Sequence, residues 1–331
     1  MKSLKRFRNM RVLFTFICMS FLLPCMAKGG LAIEDSLRMY IESKDARIGV
    51  AVMTADSCMF GVNTHDAFPM LSVMKFPLAL AVAETVGERE CSFDDLITVR
   101  KGQLHTDTYS PMLSKYSFGE EHRISVNELL DYALRNSDNN ACDILIDFTG
   151  GISAVSKYLD RAGIKDVVIK CNEDDMQKSI SRCYENTATP YAIVSMTDRF
   201  FKYGNDENSV RIKRMLETCQ TGKDRLAAPL RSTDAVIGHK TGTGPVDKNT
   251  GRIVAVNDVG YICLPSGMSY SIAVFVADAK YSMEEAEDII ADISGMVMRE
   301  MNRRSTLLKS AKAETVSCCT CGRSKVQLSL P

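Results

Sequence analysis

Histidine is scarce in this chain, with four in 331 residues and none paired at helical spacing. The 12 cysteines show no paired zinc-type spacing, and Cys318, Cys319 and Cys321 crowd the tail with no histidine nearby. These gaps argue against a metalloenzyme, and no cofactor is expected. No apolar stretch reaches the ~20 residues a membrane-spanning helix needs. Charge of one sign is also missing, since 41 basic residues meet 41 acidic ones. Nothing therefore points to a nucleic-acid surface. No internal repeat is present. What remains is 45% hydrophobic and 25% charged residues, the make-up of an ordinary globular protein. The length suffices for one large domain or two intimate ones.

The first 27 residues differ from the rest. They hold five basic residues (Lys2, Lys5, Arg6, Arg8, Arg11) and no acidic one, which leaves the remainder at 36 basic against 41 acidic. A basic start, an apolar run from Val12 to about Leu23 and small residues near Ala27 read as a secretory signal, 1–27. A retained anchor is the competing reading. Cys25 hints at a lipoprotein, although Pro24 just before it fits that pattern poorly. Export favours disulfides. Seven cysteines between the signal and the tail are an odd number, so at least one lacks a partner within that set.

Along the chain, 31–42 reads as a helix and Arg47 to Thr54 as a strand, with a short second strand near Met59 to Val62. From there to about 225 the pattern is mainly helical. Ser125-Val-Asn-Glu128 is a capping box that heads a helix ending near Asn136. Asn172 to Ala188 is a long polar loop, and loops of that length are usually functional or disordered. Val236 to Thr243, Ile253 to Leu264 and Met268 to Ala277 are strand-like. Ser282-Met-Glu-Glu285 caps a last helix with Ile289, Ile290, Ile293, Met296 and Val297 on its apolar face. Residues 303–331 are polar and aperiodic and are expected to be a disordered extension. The expected fold class is α+β. One antiparallel sheet, built from both ends of the chain, is flanked by the first and last helices. The lobe of 28–66 and 226–302 then frames an all-helical lobe, 67–225.

Three short motifs carry chemistry. In Ser72-Val-Met-Lys75 a hydroxyl and an amine stand three residues apart, on one face if the segment is helical. A serine is a poor nucleophile until a base takes its proton, and a lysine among Met70, Leu71, Met74 and Phe76 can be that base. Ser137-Asp138-Asn139 offers a hydroxyl for proton relay, a carboxylate to brace the turn and an amide for a substrate carbonyl. Lys240-Thr241-Gly242-Thr243 closes a strand with a cation and hydroxyls that suit a substrate carboxylate. Each alone is more simply a chance pattern, a helix-ending turn or a strand exit. In this order they form the signature of class A β-lactamases and penicillin-binding proteins.

From about 31 to 302 the chain resembles the class A serine β-lactamases, most of all the extended-spectrum cephalosporinase branch of PER-like and Cfx-like enzymes. Tyr109-Ser-Pro-Met-Leu113, Thr221 to Pro229 and Asn257 to Pro265 add to the likeness. The resemblance implies that Ser72 attacks the lactam carbonyl, that Lys75 helps deprotonate it and that Ser137 protonates the leaving nitrogen. It implies an oxyanion hole from the backbone N–H groups of Ser72 and Thr243. Lys240, Thr241 and Arg225 would hold the carboxylate, Gly242 would let backbone approach the ligand, Asn139 would hold the side-chain amide, and Tyr109 would line the entrance. Glu173, seventeen residues before Pro190, matches the loop glutamate that activates the deacylating water, with Asp174 a neighbouring candidate.

Two departures stand out. An arginine–aspartate bridge that locks this loop in many relatives is replaced by Cys171 and Asn186, and Gln177 stands where an asparagine commonly helps hold the water. The reading is a periplasmic, monomeric hydrolase of cephalosporins and penicillins. Its competitors are a penicillin-binding D-Ala-D-Ala peptidase and a non-catalytic β-lactam sensor that keeps the acyl group.

Overall fold

A computed structural model describes residues 32–321. The expected signal sequence lies outside the described residues. Helix α1 covers 32–42, followed by β1 (Arg47–Thr54), β2 (Met59–Val62) and β3 (Phe68–Pro69). Helix α2 (Lys75–Glu88) leads to the hairpin β4 (Leu96–Val99) and β5 (His122–Ser125). Helices α3 (Val126–Arg135), α4 (Asn139–Thr149) and α5 (Ile152–Arg161) come next. The loop region holds β6 (Val167–Val168), α6 (Glu173–Lys178), α7 (Ile180–Cys183) and β7 (Thr187–Ala188). Helices α8 (Pro190–Tyr203) and α9 (Glu207–Glu217) precede β8 (Val236–Thr243), β9 (Ile253–Cys263), β10 (Ser269–Ala279) and α10 (Met283–Cys321).

The two ends of the chain meet in one antiparallel sheet of order β2-β1-β10-β9-β8, with Arg47 opposite Ala277. One face packs Val50, Val52, Ile272 and Val274 against Leu37 and Ile41 of α1 and Ile289, Ile293 and Val297 of α10. The other packs Ala51, Ala273 and Phe275 into the core of the helical lobe, together with Ile193 and Val194 of α8. Cover on both faces explains why β9 and β10 read as near-continuous apolar runs rather than alternating ones. The capping box at Ser282 forms in full and the one at Ser125 only as a serine cap, because the Glu128 carboxylate pairs with Lys115. Glu128 N–H donates to Ser125 Oγ, and Ser282 and Glu285 exchange bonds reciprocally.

Three expectations change. The chain does not loosen at residue 303, because α10 runs on to Cys321. Arg304 is buried, donates to Glu300 Oε1 at 2.8 Å and stacks on Phe60, and Ser305 Oγ donates to Ser266 O. A guanidinium stem covering an aromatic ring supplies packing where the apolar stripe ends. The polar stretch 172–188 is not a plain loop but two short helices and a strand. The seven cysteines from Cys58 to Cys263 are all free thiols, so export-favoured disulfides are not formed among them.

Candidate active site

The site is built around a tight turn. Leu71–Met74 forms a single 3-10 turn that passes directly into α2. Leu71 sits at φ 48°, a left-handed value costly for a branched side chain and held only when its surroundings fix it. Two contacts from the sheet do so. The buried amide of Asn257 on β9 donates to Pro69 O at 2.8 Å and to Met70 O at 3.1 Å. Gly242 on β8 lies so near that a Cβ there would stand 2.4 Å from Met70 O. Glycine at this position lets strand and turn meet backbone to backbone.

Lys75, fully buried, sits at the centre. Its Nζ lies 2.7 Å from Ser72 Oγ, 3.0 Å from Ser137 O, 2.7 Å from Asn139 Oδ1 and 2.6 Å from Glu173 Oε1. An ammonium has three protons for these four oxygens. The Ser72 contact is the one that can reverse, the hydroxyl donating to an unprotonated amine. Ser72 Oγ also lies 3.2 Å from Glu173 Oε1, so its proton has two adjacent acceptors. Ser137, at φ 60°, turns its hydroxyl to accept from Lys240 Nζ at 2.9 Å. Burial and the nearby Lys75 charge bring Lys240 down to about 7. Asp138 caps α4 and accepts from Met112 N–H at 2.7 Å and from Ser110 Oγ, bracing the turn as expected. Asn139 Nδ2 donates to Thr108 Oγ1.

Glu173 opens α6 and is buried. Asn172 caps this helix by accepting from Asp175 N–H. Asp143 on α4 accepts from the backbone N–H of Glu173 at 2.8 Å and of Asp174 at 2.9 Å. Burial raises the Asp143 carboxyl to about 7. The lock that the arginine–aspartate bridge would supply is made by an amide. Asn186 Oδ1 accepts from Lys170 and Cys171 N–H, and its Nδ2 donates to Cys171 O. Gln177 Nε2 reaches Thr108 Oγ1 at 3.2 Å. Asp174 points elsewhere and pairs with Lys178.

A cleft of about 650 Å³ is lined by Ser72, Tyr109, Ser137, Asn139, Glu173, Thr241 and Thr243, among others. Lys75, Lys240 and Gly242 stand behind that lining. Arg225 does too, which alters its expected part. It is 3% exposed and spends its donors on Glu287, Gly242 O, Asn257 O and Thr243 Oγ1. Its guanidinium therefore reaches the cleft through the Thr243 hydroxyl, 2.7 Å away, rather than directly. Thr221, part of a stretch that carries the family likeness but assigned no role from the sequence, joins the wall and bonds Thr241 Oγ1 at 2.6 Å.

Asn257 and Asp143 were also invisible as site residues. Asn257-Asp258 inside an otherwise apolar strand was a usable signal, because buried amides need partners. Asp143 sits mid-helix with no local signature.

A half-buried hydroxyl between two proton acceptors, facing a cleft edged by hydroxyls and backed by cations, is the apparatus of a serine acyl-transfer hydrolase. The comparisons with known proteins agree. The model of the β-lactamase enzyme family matches residues 32–301. A β-lactamase of Bacteroides uniformis is 35% identical over 295 residues, covering 86% of this chain and 98% of the relative. The extended-spectrum β-lactamase PER-1 of Pseudomonas aeruginosa is 31% identical over 266 residues, covering 79% and 85%. The crystal structure of the TLA-1 extended-spectrum β-lactamase superposes with a TM-score of 0.79 at 34% identity, covering 82% of this chain and 99% of that one. The chain belongs to the β-lactamase enzyme family, and its fold is that of the class A serine enzymes.

Proposed function

We propose that this protein hydrolyses the cyclic amide of cephalosporins and penicillins through an ester on Ser72, protecting the cell that makes it. Ser72 Oγ attacks the lactam carbonyl as its proton passes to Lys75 or Glu173. The backbone N–H groups of Ser72 and Thr243 hold the developing oxyanion, each such donor being worth ~3 kcal/mol of barrier. The C–N bond then breaks, and the Ser137 hydroxyl hands the nitrogen a proton, replenished from the Lys240 side. Thr241 and Thr243, backed by Lys240 and Arg225, take the substrate carboxylate, and Asn139 takes the side-chain amide. Glu173 then removes a proton from water, which attacks the ester and frees Ser72.

The observation that carries this reading is the Glu173 carboxylate 3.2 Å from the nucleophile. A placed general base contributes roughly 10²–10⁴-fold, and it is what separates a hydrolase from a peptidase or sensor that stays acylated. The extended-spectrum names of the relatives support cephalosporins as substrates. We further infer removal of residues 1–27, a periplasmic location, a catalytic unit spanning 28–302 and a monomer. The test is turnover of a chromogenic cephalosporin by the purified protein. Steady hydrolysis that falls at least ~10⁴-fold in Ser72→Ala is expected. Turnover undiminished in that variant overturns the mechanism.

A further inference from the structure

The outer side of the Glu173 loop is tied down by a contact that the mechanism does not use. Tyr184 closes α7, and its hydroxyl donates to Asp278 Oδ1 on β10 at 2.6 Å. Asp278 stands in an uncommon conformation. Its φ is 54°, in the left-handed region, and the ladder to β9 pairs Ala277 with Ala255 and Ala279 with Ile253 but skips Asp278 itself. A residue other than glycine keeps such a backbone only where its surroundings fix it. Here Arg252 Nη1 donates to its carbonyl at 2.7 Å, and Arg47 Nε lies 3.5 Å from Oδ2. We propose that the Tyr184–Asp278 hydrogen bond is a latch that positions Glu173: it fixes α7 to the sheet on which the Ser72 turn rests, and through α7 it holds α6 in place.

The path from latch to carboxylate is short. Tyr184 follows Cys183, which is buried and whose Sγ donates to Met176 O on α6 at 3.6 Å. Glu173 is the first residue of α6. Ile180 and Cys183 line the cleft together with Met176 and Glu173, so a shift of α7 is felt in that wall. The known grip on Glu173 comes from the other side, where Asp143 on α4 accepts from its backbone N–H. That grip refers the carboxylate to the helical lobe. The nucleophile is referred to the sheet, through Asn257 and Gly242. At the end of the loop Asn186 O accepts from Met70 N–H. Among the described residues, 173–184 has no hydrogen bond to the five-stranded sheet besides the latch. Burial and the Asp278 carboxylate push the Tyr184 phenol above its ordinary value, so it stays a donor.

The kinetic consequence rests on the β-lactam reading above, whereas the hold on the loop does not. Three variants of the full chain test both. Tyr184→Phe removes the hydroxyl and keeps the ring. Asp278→Gly removes the acceptor at a φ that glycine adopts freely. Asp278→Asn keeps an acceptor oxygen on a residue that tolerates this backbone. Loss of a hydrogen bond of ordinary net strength shifts an open–closed balance roughly three- to tenfold. Amide hydrogen exchange over 173–183 should quicken by about that factor in Tyr184→Phe and Asp278→Gly and stay near wild type in Asp278→Asn. With a chromogenic cephalosporin, kcat should fall several-fold in the first two, while kcat/KM, which reports acylation, stays within about twofold. The double variant Tyr184→Phe, Asp278→Gly should be no slower than either single one, because both remove the same bond. Unchanged exchange in Tyr184→Phe overturns the latch, as do additive losses in the double variant or equal falls of kcat and kcat/KM in an active enzyme. Faster exchange in a protein that turns over no β-lactam overturns the proposed function and leaves the hold on the loop standing.

Discussion

The turn carrying Ser72 and the loop carrying Glu173 meet at one point but are held very differently. The turn is pressed onto the sheet by Asn257 and Gly242 and continues into the buried helix α2. The loop hangs on side-chain hydrogen bonds: Asp143 to two backbone N–H groups, Asn172 as a cap and Asn186 as an amide clasp. Capture of the substrate is thus tied to the stability of the whole domain. Release is tied to a small polar network that can be altered by itself.

Changes to the loop should therefore split the two halves of the reaction, and changes beneath the turn should not. Glu173→Gln is expected to slow turnover by ~10²–10⁴ with acylation largely intact. Stopped-flow burst kinetics measure both steps. Asp143→Ala leaves two N–H groups without their acceptor and lets Glu173 drift, and a shift of about 1 Å can cost ~10²-fold. Deacylation should fall by that order while the burst rate stays within about threefold. Asn257→Ala exposes the contrast, because it should lower both rates together and cost about 1–3 kcal/mol in denaturant unfolding. Equal losses in both steps for Asp143→Ala would erase the distinction.

The smallest effect concerns two titratable side chains outside the cleft lining, Cys219 and His239. The Cys219 thiol sits below its ordinary value of 9.0, at about 7. A folded-state value lowered in this way contributes stability that is present above 9 and lost as pH falls through 7. Relative to Cys219→Ser, the wild type should gain up to about 2 kcal/mol between pH 7 and 9, read from urea midpoints across that range. His239, which burial lowers but Asp258 raises to about 10, acts in the opposite sense. Its contribution is full below 6.5 and is lost as pH climbs through 10.

Much of the site was legible because its chemistry sits in contiguous motifs at turns and strand ends. Ser72 with Lys75, Ser137 with Asn139, and Lys240 to Thr243 each come within four residues of chain. The residues that hold these motifs were not legible. Asn257 lies 188 residues from Pro69, whose carbonyl it grips, and Asp143 lies 30 from Glu173, and no local pattern marks such partners. Arg225 was read by type as a carboxylate ligand, whereas its burial and partners make it a support for Thr243. The five strands of the main sheet were legible from their apolar runs, whereas the short strands β3 to β7, inside the stretch read as mainly helical, were not. The α6 helix had an available signal in Asn172 followed by Glu173, Asp174 and Asp175, a cap with acids in the first turn. The continuation of α10 had none, because past Met301 the apolar stripe ends and its inward contacts are made by Arg304 and Ser305, polar residues that sequence reading assigns to solvent.

The central claim is that one carboxylate converts a trap into a hydrolase. Intact-mass measurement of wild type and Glu173→Gln after mixing with a cephalosporin tests it most directly. The account predicts a lasting adduct on Ser72 in the variant and a bare wild-type protein once substrate is consumed. An adduct equally durable in both proteins, or none in the variant while turnover continues, would contradict it.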